Sequence, residues 1–272
     1  MNFIKKLLAV SRKNRSLLCV GLDPDPKLMP KMSIFEFNRE IIDATSDLVC
    51  AYKPNLAFYE ALGIEGLRAL GKTLAYIPRG IPTIGDGKRG DIASSSEAYA
   101  RALFETFGFD AATVNPYLGY DSIAPFIAYA DRGIFILCKT SNEGSADFQD
   151  SLYSKPGATA STPLFEMVAQ KAKEWNIHGN VGLVVGATYP EQLKKIREIC
   201  PELPFLIPGI GAQGGDLALV VKYGVDAKGE KTVISSSRQI LYASKGKDFA
   251  EAARREVLRL RDQINQQLAS ER

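Results

Sequence analysis

The chain has 272 residues, 46% of them hydrophobic and 24% charged, with a formal net charge of +3. That is ordinary globular composition, with enough apolar material for one large core. The charges are mixed and form no long basic run, so nothing calls for nucleic acid, and no run is long and apolar enough to span a bilayer.

The opening segment MNFIKKLLAVSRKNR has an apolar stretch too short for a secretion signal, broken by Arg12, Lys13 and Arg15. It reads as a short amphipathic helix. Eight short apolar runs then follow along the chain: SLLCVGL (16–22), DLVCAYKPN (47–55), IPTIGDG (81–87), AATVNPY (111–117), GIFILCKT (133–140), VGLVVGAT (181–188), PFLIPGI (204–210) and TVISSS (232–237). Continuous apolar runs, rather than strict alternation, suit parallel strands covered on both faces. Amphipathic stretches lie between them: FNREIIDATSDL, EAYARALFETF, PLFEMVAQKAKEW and PEQLKKIREI. A last one, DFAEAARREVLRLRDQINQQL, puts Phe249, Ala253, Val257, Leu260, Ile264 and Leu268 at helical spacing. Strands alternating with helices predict a (β/α)8 TIM barrel, with a doubly wound open sheet as the competitor. No composition shift marks a linker, so residues 1–272 read as one barrel domain. Segment 143–162 carries turn residues and has no assigned role.

Two residue types limit the chemistry. Cys19, Cys50, Cys138 and Cys200 form no C-x-x-C pair and read as reduced core cysteines of a cytoplasmic protein. His178, the single histidine, lies in the loop-like NIHGN and reads as solvent-facing. A multi-histidine metal site is therefore excluded, and any Ser-His-Asp triad would have to use His178.

Barrel active sites lie at the C-terminal ends of the strands. Polar residues cluster there: Asp23, Lys53 and Asn55, Asp86 and Lys88, Asn115, then Thr140, Ser141 and Asn142, Thr188, Gln213 and Arg238. The densest group is IGDGKRGDI, residues 84–92. Asp86 and Lys88 are two apart, so on a strand they share a face, which in a barrel points inward. An inward lysine needs an anionic partner to stay charged. The direction of Asp91, past the strand end, does not follow from the strand period.

Asp-x-Lys-x-x-Asp after the third strand resembles the signature of the orotidine 5'-phosphate decarboxylases, and the KRGDI form resembles their longer bacterial branch, type 2. VGLDPD, AYKPN, TVNPYLG, KTSN, VVGATYPEQL and PGIGAQGGD resemble family segments in the same order, so the likeness runs from about residue 18 to 242. The resemblance implies conversion of orotidine 5'-monophosphate to UMP and CO2 without metal or cofactor, in the last step of de novo UMP biosynthesis. It implies an alternating array of Lys53, Asp86, Lys88 and Asp91, with Asp91 reaching into the partner's site of a homodimer. Asp23 would contact the ribose and Lys53, Ser141 the pyrimidine, Ile92 the substrate, and Ser95 the partner's site. Two positions depart from the family pattern. Ser95 stands where threonine is usual, and Gly87 where alanine is common, which would loosen the backbone between Asp86 and Lys88.

The chemistry that the resemblance implies fits these residues. Losing CO2 from C6 of orotate leaves a carbanion with no easy delocalisation. A preorganised ammonium is the remedy, and Lys88 would supply it and then the proton. At the phosphate end, Gly209-x-Gly211-x-x-Gly214 follows the seventh strand, where barrels often bind phosphate. Gln213, the backbone around Gly214 and Arg238 would hold the phosphate, with the glycine-rich loop closing as a lid. Three other readings stay open at this point: a metal-dependent sugar-phosphate decarboxylase of the same superfamily, a Schiff-base aldolase, and a non-catalytic binder of phosphorylated metabolites.

Overall fold

The computed structural model describes residues 2–154, 161–210 and 215–270. Eight parallel strands make one sheet: β1 (Leu18–Gly21), β2 (Ala51–Lys53), β3 (Ile84–Arg89), β4 (Ala111–Val114), β5 (Gly133–Lys139), β6 (Val181–Val185), β7 (Phe205–Pro208) and β8 (Thr232–Ser236). Each lies in or overlaps one of the apolar runs. Consecutive strands pair in parallel, and β8 pairs back to β1. The remaining seam, between β2 and β3, is closed by bridges Tyr52 to Thr83 and Asn55 to Asp86. Two backbone hydrogen bonds hold it: Tyr52 N–H donates to the Pro82 carbonyl and Asp86 N–H to the Pro54 carbonyl, both at 3.0 Å. The (β/α)8 barrel is therefore the observed fold, and the open doubly wound sheet is not.

The barrel interior is filled by one side chain from each strand, all small or branched except Phe135: Cys19, Ala51, Ile84, Ala111, Phe135, Val184, Leu206 and Val233. These positions face inward because side chains alternate along a strand. Helix α1 (Phe3–Asn14) closes the N-terminal end beneath them. Its Phe3 meets Phe135 edge to face at 5.7 Å between centroids, and Leu7 joins the same cluster. The second, larger core lies between the strands and the outer helices. Those helices are α2 (Ile34–Thr45), α3 (Leu56–Glu60), α4 (Gly63–Tyr76), α5 (Ala93–Arg101), α6 (Tyr120–Ile127), α7 (Leu164–Trp175), α8 (Pro190–Ile199), α9 (Leu217–Gly224), α10 (Arg238–Leu241) and α11 (Phe249–Ser270).

The expected burial of the cysteines and exposure of the histidine hold. All four cysteines are buried and unpaired, and His178 is exposed. No helix among the described residues is long and apolar enough to cross a membrane. The structure adds detail to segment 143–162: a 3-10 turn over Glu143–Asp147, and a short antiparallel pairing of Leu152–Tyr153 with Thr162–Pro163.

Candidate active site

The C-terminal ends of the strands surround a cavity of about 470 Å³, within the usual range for a small-molecule site. Leu137, Val184 and Leu206 continue the barrel interior into its floor, so the cavity ends on apolar side chains. Above that floor, Asp23, Lys53, Asp86, Lys88 and Thr113 form one wall. Thr140, Ser141 and Asn142 form another, and Gly209, Ile210 and Ser235 to Gln239 a third.

The charged wall is built around Asp86, which is 8% exposed. Its Oδ2 accepts from Lys53 Nζ at 2.7 Å and its Oδ1 from Lys88 Nζ at 2.6 Å. Burial alone would push the Asp86 carboxyl up. The two ammonium groups overcome that and hold it well below the usual carboxylate range. Burial likewise works against the Lys53 ammonium, and the nearby Asp86 and Asp23 outweigh it, so its pKa is raised. The two lysines differ in access. Lys53 is almost fully enclosed, whereas 47% of the Lys88 side chain is exposed, leaving its ammonium open to the cavity.

Lys88 has φ +48°, a left-handed conformation that costs a non-glycine residue roughly 1–2 kcal/mol. The β3–β4 register shifts between Gly85 and Arg89 at this point. Thr113 on β4 secures the irregular turn. Its hydroxyl accepts from Lys88 N–H at 2.9 Å and donates to Asp86 Oδ1 at 3.0 Å. Sequence reasoning misses Thr113, although an inward threonine in the run AATV, beside the Asp86 strand, is the available signal. Gly87, expected to loosen the backbone, lies close to α3. A Cβ there would lie 2.8 Å from Leu56 Cδ1, the movable end of a side chain on α3.

Asp23 follows β1 and is anchored from two sides. Its Oδ1 accepts from Asn55 N–H at 3.1 Å, and its carbonyl accepts from the Tyr242 hydroxyl at 3.0 Å. Ser141 and Arg238 also face the cavity, and Arg238 forms no ion pair among the described residues. Ser236 and Ser237 beside it carry buried hydroxyls without a partner among the described residues. Asn115, by contrast, turns away to cap the 3-10 turn that follows β4.

The structure thus brings together Lys53, Asp86, Lys88, Asp23, Ser141 and Arg238. It does not bring in Asp91, Ile92 or Ser95: Asp91 and Ile92 precede α5, Ser95 lies in its first turn, and none of the three lines the cavity. Asp91 accepts from Ile92 N–H at 2.8 Å, and Ile92 is 59% exposed. Gln213 and Gly214 lie outside the described residues.

Comparison with known proteins gives the family. A model described as the orotidine 5'-phosphate decarboxylase / HUMPS family matches residues 16–255. An orotidine 5'-phosphate decarboxylase of Dehalococcoides mccartyi is 56% identical over 266 residues, covering 97% of this chain and 98% of that protein. The structure of the Leishmania donovani OMP decarboxylase matches with a TM-score of 0.86 at 39% identity, over 98% of this chain and 99% of that one. The UMP synthase of Leishmania donovani matches with a TM-score of 0.88 at 41% identity. That match covers 98% of this chain and 56% of the synthase, so the chain spans little more than half of that larger protein. With a family model over most of its length and relatives above half identity, the chain belongs to the orotidine 5'-phosphate decarboxylase / HUMPS family.

Proposed function

We propose that this protein decarboxylates orotidine 5'-monophosphate to UMP and CO2, the closing step of de novo UMP biosynthesis, with its own side chains and no cofactor. The observation that carries the reading is the array Lys53–Asp86–Lys88 on the wall of the cavity. The C6–carboxylate bond breaks, CO2 departs, and the electron pair stays on C6. The Lys88 ammonium stabilises that pair and then transfers a proton to C6, and solvent reprotonates the lysine. Lys53 and Thr113 fix Asp86, so the charges are set before substrate arrives. Asp86 beside the departing carboxylate would raise the ground state, and Asp23 with Lys53 would hold the ribose. Ser141 would bond the pyrimidine, while Arg238, Gln213 and the backbone at Gly214 would bind phosphate.

Asp91, Ile92 and Ser95 belong to the proposal through a second copy of the chain. Their place outside the cavity lining, with Ile92 and Ser95 exposed, supports a role in a partner's site. Ile92 at 59% and Tyr117 at 78% exposure are apolar surface of the kind that an interface covers. A cytoplasmic setting accords with the four free thiols. The metal-dependent sugar-phosphate decarboxylases are not favoured. Such a site needs carboxylate oxygens free for a hard cation, and both oxygens of Asp86 are taken by lysines.

The test is incubation of the protein with orotidine 5'-monophosphate and EDTA, following substrate absorbance and UMP. Stoichiometric UMP at an undiminished rate supports the reading. A folded protein that forms no UMP, or forms it only with added Mg²⁺, contradicts it.

A further inference from the structure

The side chain of Lys139 at the end of β5 is 0% exposed, yet Lys139 is not part of the cavity wall. The β5–β6 register shifts between Leu137 and Lys139, and the lysine is directed to the segment that follows. Its ammonium donates to Ser145 Oγ at 3.0 Å and to Asp150 Oδ1 and Oδ2 at 2.8 and 2.9 Å. It also lies 4.3 Å from the centre of the Tyr189 ring. A buried ammonium without partners is strongly unfavourable, so Lys139 forces residues 145–150 to stay folded over it.

That segment in turn grips the cavity wall. Gln149 clamps Thr140 at two points: its Oε1 accepts from Thr140 N–H at 2.8 Å, and its Nε2 donates to Thr140 Oγ1 at 2.9 Å. The opposite side is fixed by the loop after β6. Thr188 Oγ1 donates to the Ser141 carbonyl at 3.1 Å. A Cβ on Gly186 would lie 2.7 Å from Ser141 N, so only glycine permits this approach. Ser141 is therefore held between two loops, while its own hydroxyl has no hydrogen bond among the described residues and faces the cavity.

We propose that Lys139 and Gln149 are positioning residues, which hold the hydroxyl of Ser141 in place for the pyrimidine from outside the cavity. This rests on the reading of Ser141 as the contact to the base. Residues 143–150 then serve to brace the base-reading wall.

The test is a double-mutant cycle on the full chain with Lys139→Met, Gln149→Ala and Ser141→Ala. Gln149 lies at the surface of the clamp, so it keeps the test available if Lys139→Met fails to fold. In each background, kcat/KM for orotidine 5'-monophosphate and the affinities for UMP and ribose 5-phosphate are measured. We expect Gln149→Ala or Lys139→Met to lower kcat/KM roughly ten- to hundredfold when Ser141 is present. The same change should cost less than about twofold when Ser141 is already alanine. UMP affinity should fall while ribose 5-phosphate affinity holds. Additive losses, or equal losses for both ligands, would overturn the proposal and leave only a structural role. Failure of the functional reading looks different. Wild-type protein then makes no UMP, and the UMP-to-ribose 5-phosphate ratio still reads the clamp.

Discussion

At the residue scale, the chemistry concentrates on Asp86, because one carboxylate orders two lysines of different access. The pH dependence of stability follows from its shifted ionisation. A carboxyl held low in the folded state contributes stability that is complete above the unfolded pKa of about 4 and fades as the pH falls below it. Lys53 is raised, so its contribution is present below about 10.4 and fades as the pH rises through its folded value. Asp86→Asn should therefore destabilise the protein at neutral pH, by an amount that shrinks as the pH drops below about 4. Urea unfolding of both proteins across that range checks this, and a pH-independent difference would contradict it. Thr113→Val removes the hydroxyl that ties Lys88 N–H to Asp86. It should lower kcat about tenfold or more with a smaller change in KM, since it relaxes preorganisation rather than binding. Most of the charged wall was legible because charges at the ends of apolar runs are seldom accidental. Thr113 and Lys139 were not, for opposite reasons. Thr113 looks like an ordinary strand residue, and Lys139 lies inside an apolar run where only tertiary partners explain it.

At the scale of elements, strands were easier to read than helices. Apart from the charged end of β3, the barrel strands are largely buried and announce themselves as compact apolar runs. Five helices were missed: α3 and α10 because they have only five and four residues, and three longer ones for other physical reasons. α4 contains Gly63, Gly66 and Gly71 and has no side-chain cap. α6 is short and carries Pro125 inside it. α9, LALVVKYG, is apolar nearly all round and mimics a strand. The start of α2 was legible but was placed late, because Ser33 and Glu36 form a capping box ahead of Phe37. The N-terminal helix was read correctly, and its role as the barrel's lower plug came only from the fold. Phe3→Ala should cost about 3–5 kcal/mol in equilibrium unfolding, since Phe3 is 2% exposed against the interior layer. A loss below about 1 kcal/mol would mean that α1 does not seal the barrel.

At the scale of the whole molecule, the fold sets five charged or polar groups from β1 to β4 on one wall and leaves Asp91 outside the cavity lining. The barrel was legible from the alternation of runs, whereas the place of Asp91 was not, because the strand period ends at Arg89. The proposed sharing of Asp91 makes a specific demand on mixtures. Inactive Lys88→Ala and inactive Asp91→Asn chains, unfolded and refolded together, should regain about a quarter of wild-type activity, because one site in each mixed dimer is complete. No recovery from a refolded, dimeric mixture would place Asp91 in its own chain's site or in none. The central claim is that the Lys88 ammonium, held by Asp86, stabilises and protonates the reacting carbon. Its most direct test is kcat for orotidine 5'-monophosphate, with EDTA present, for wild type against a folded Lys88→Ala variant. The account predicts a fall of at least about 10³-fold, whereas a variant within about tenfold of wild type would contradict it.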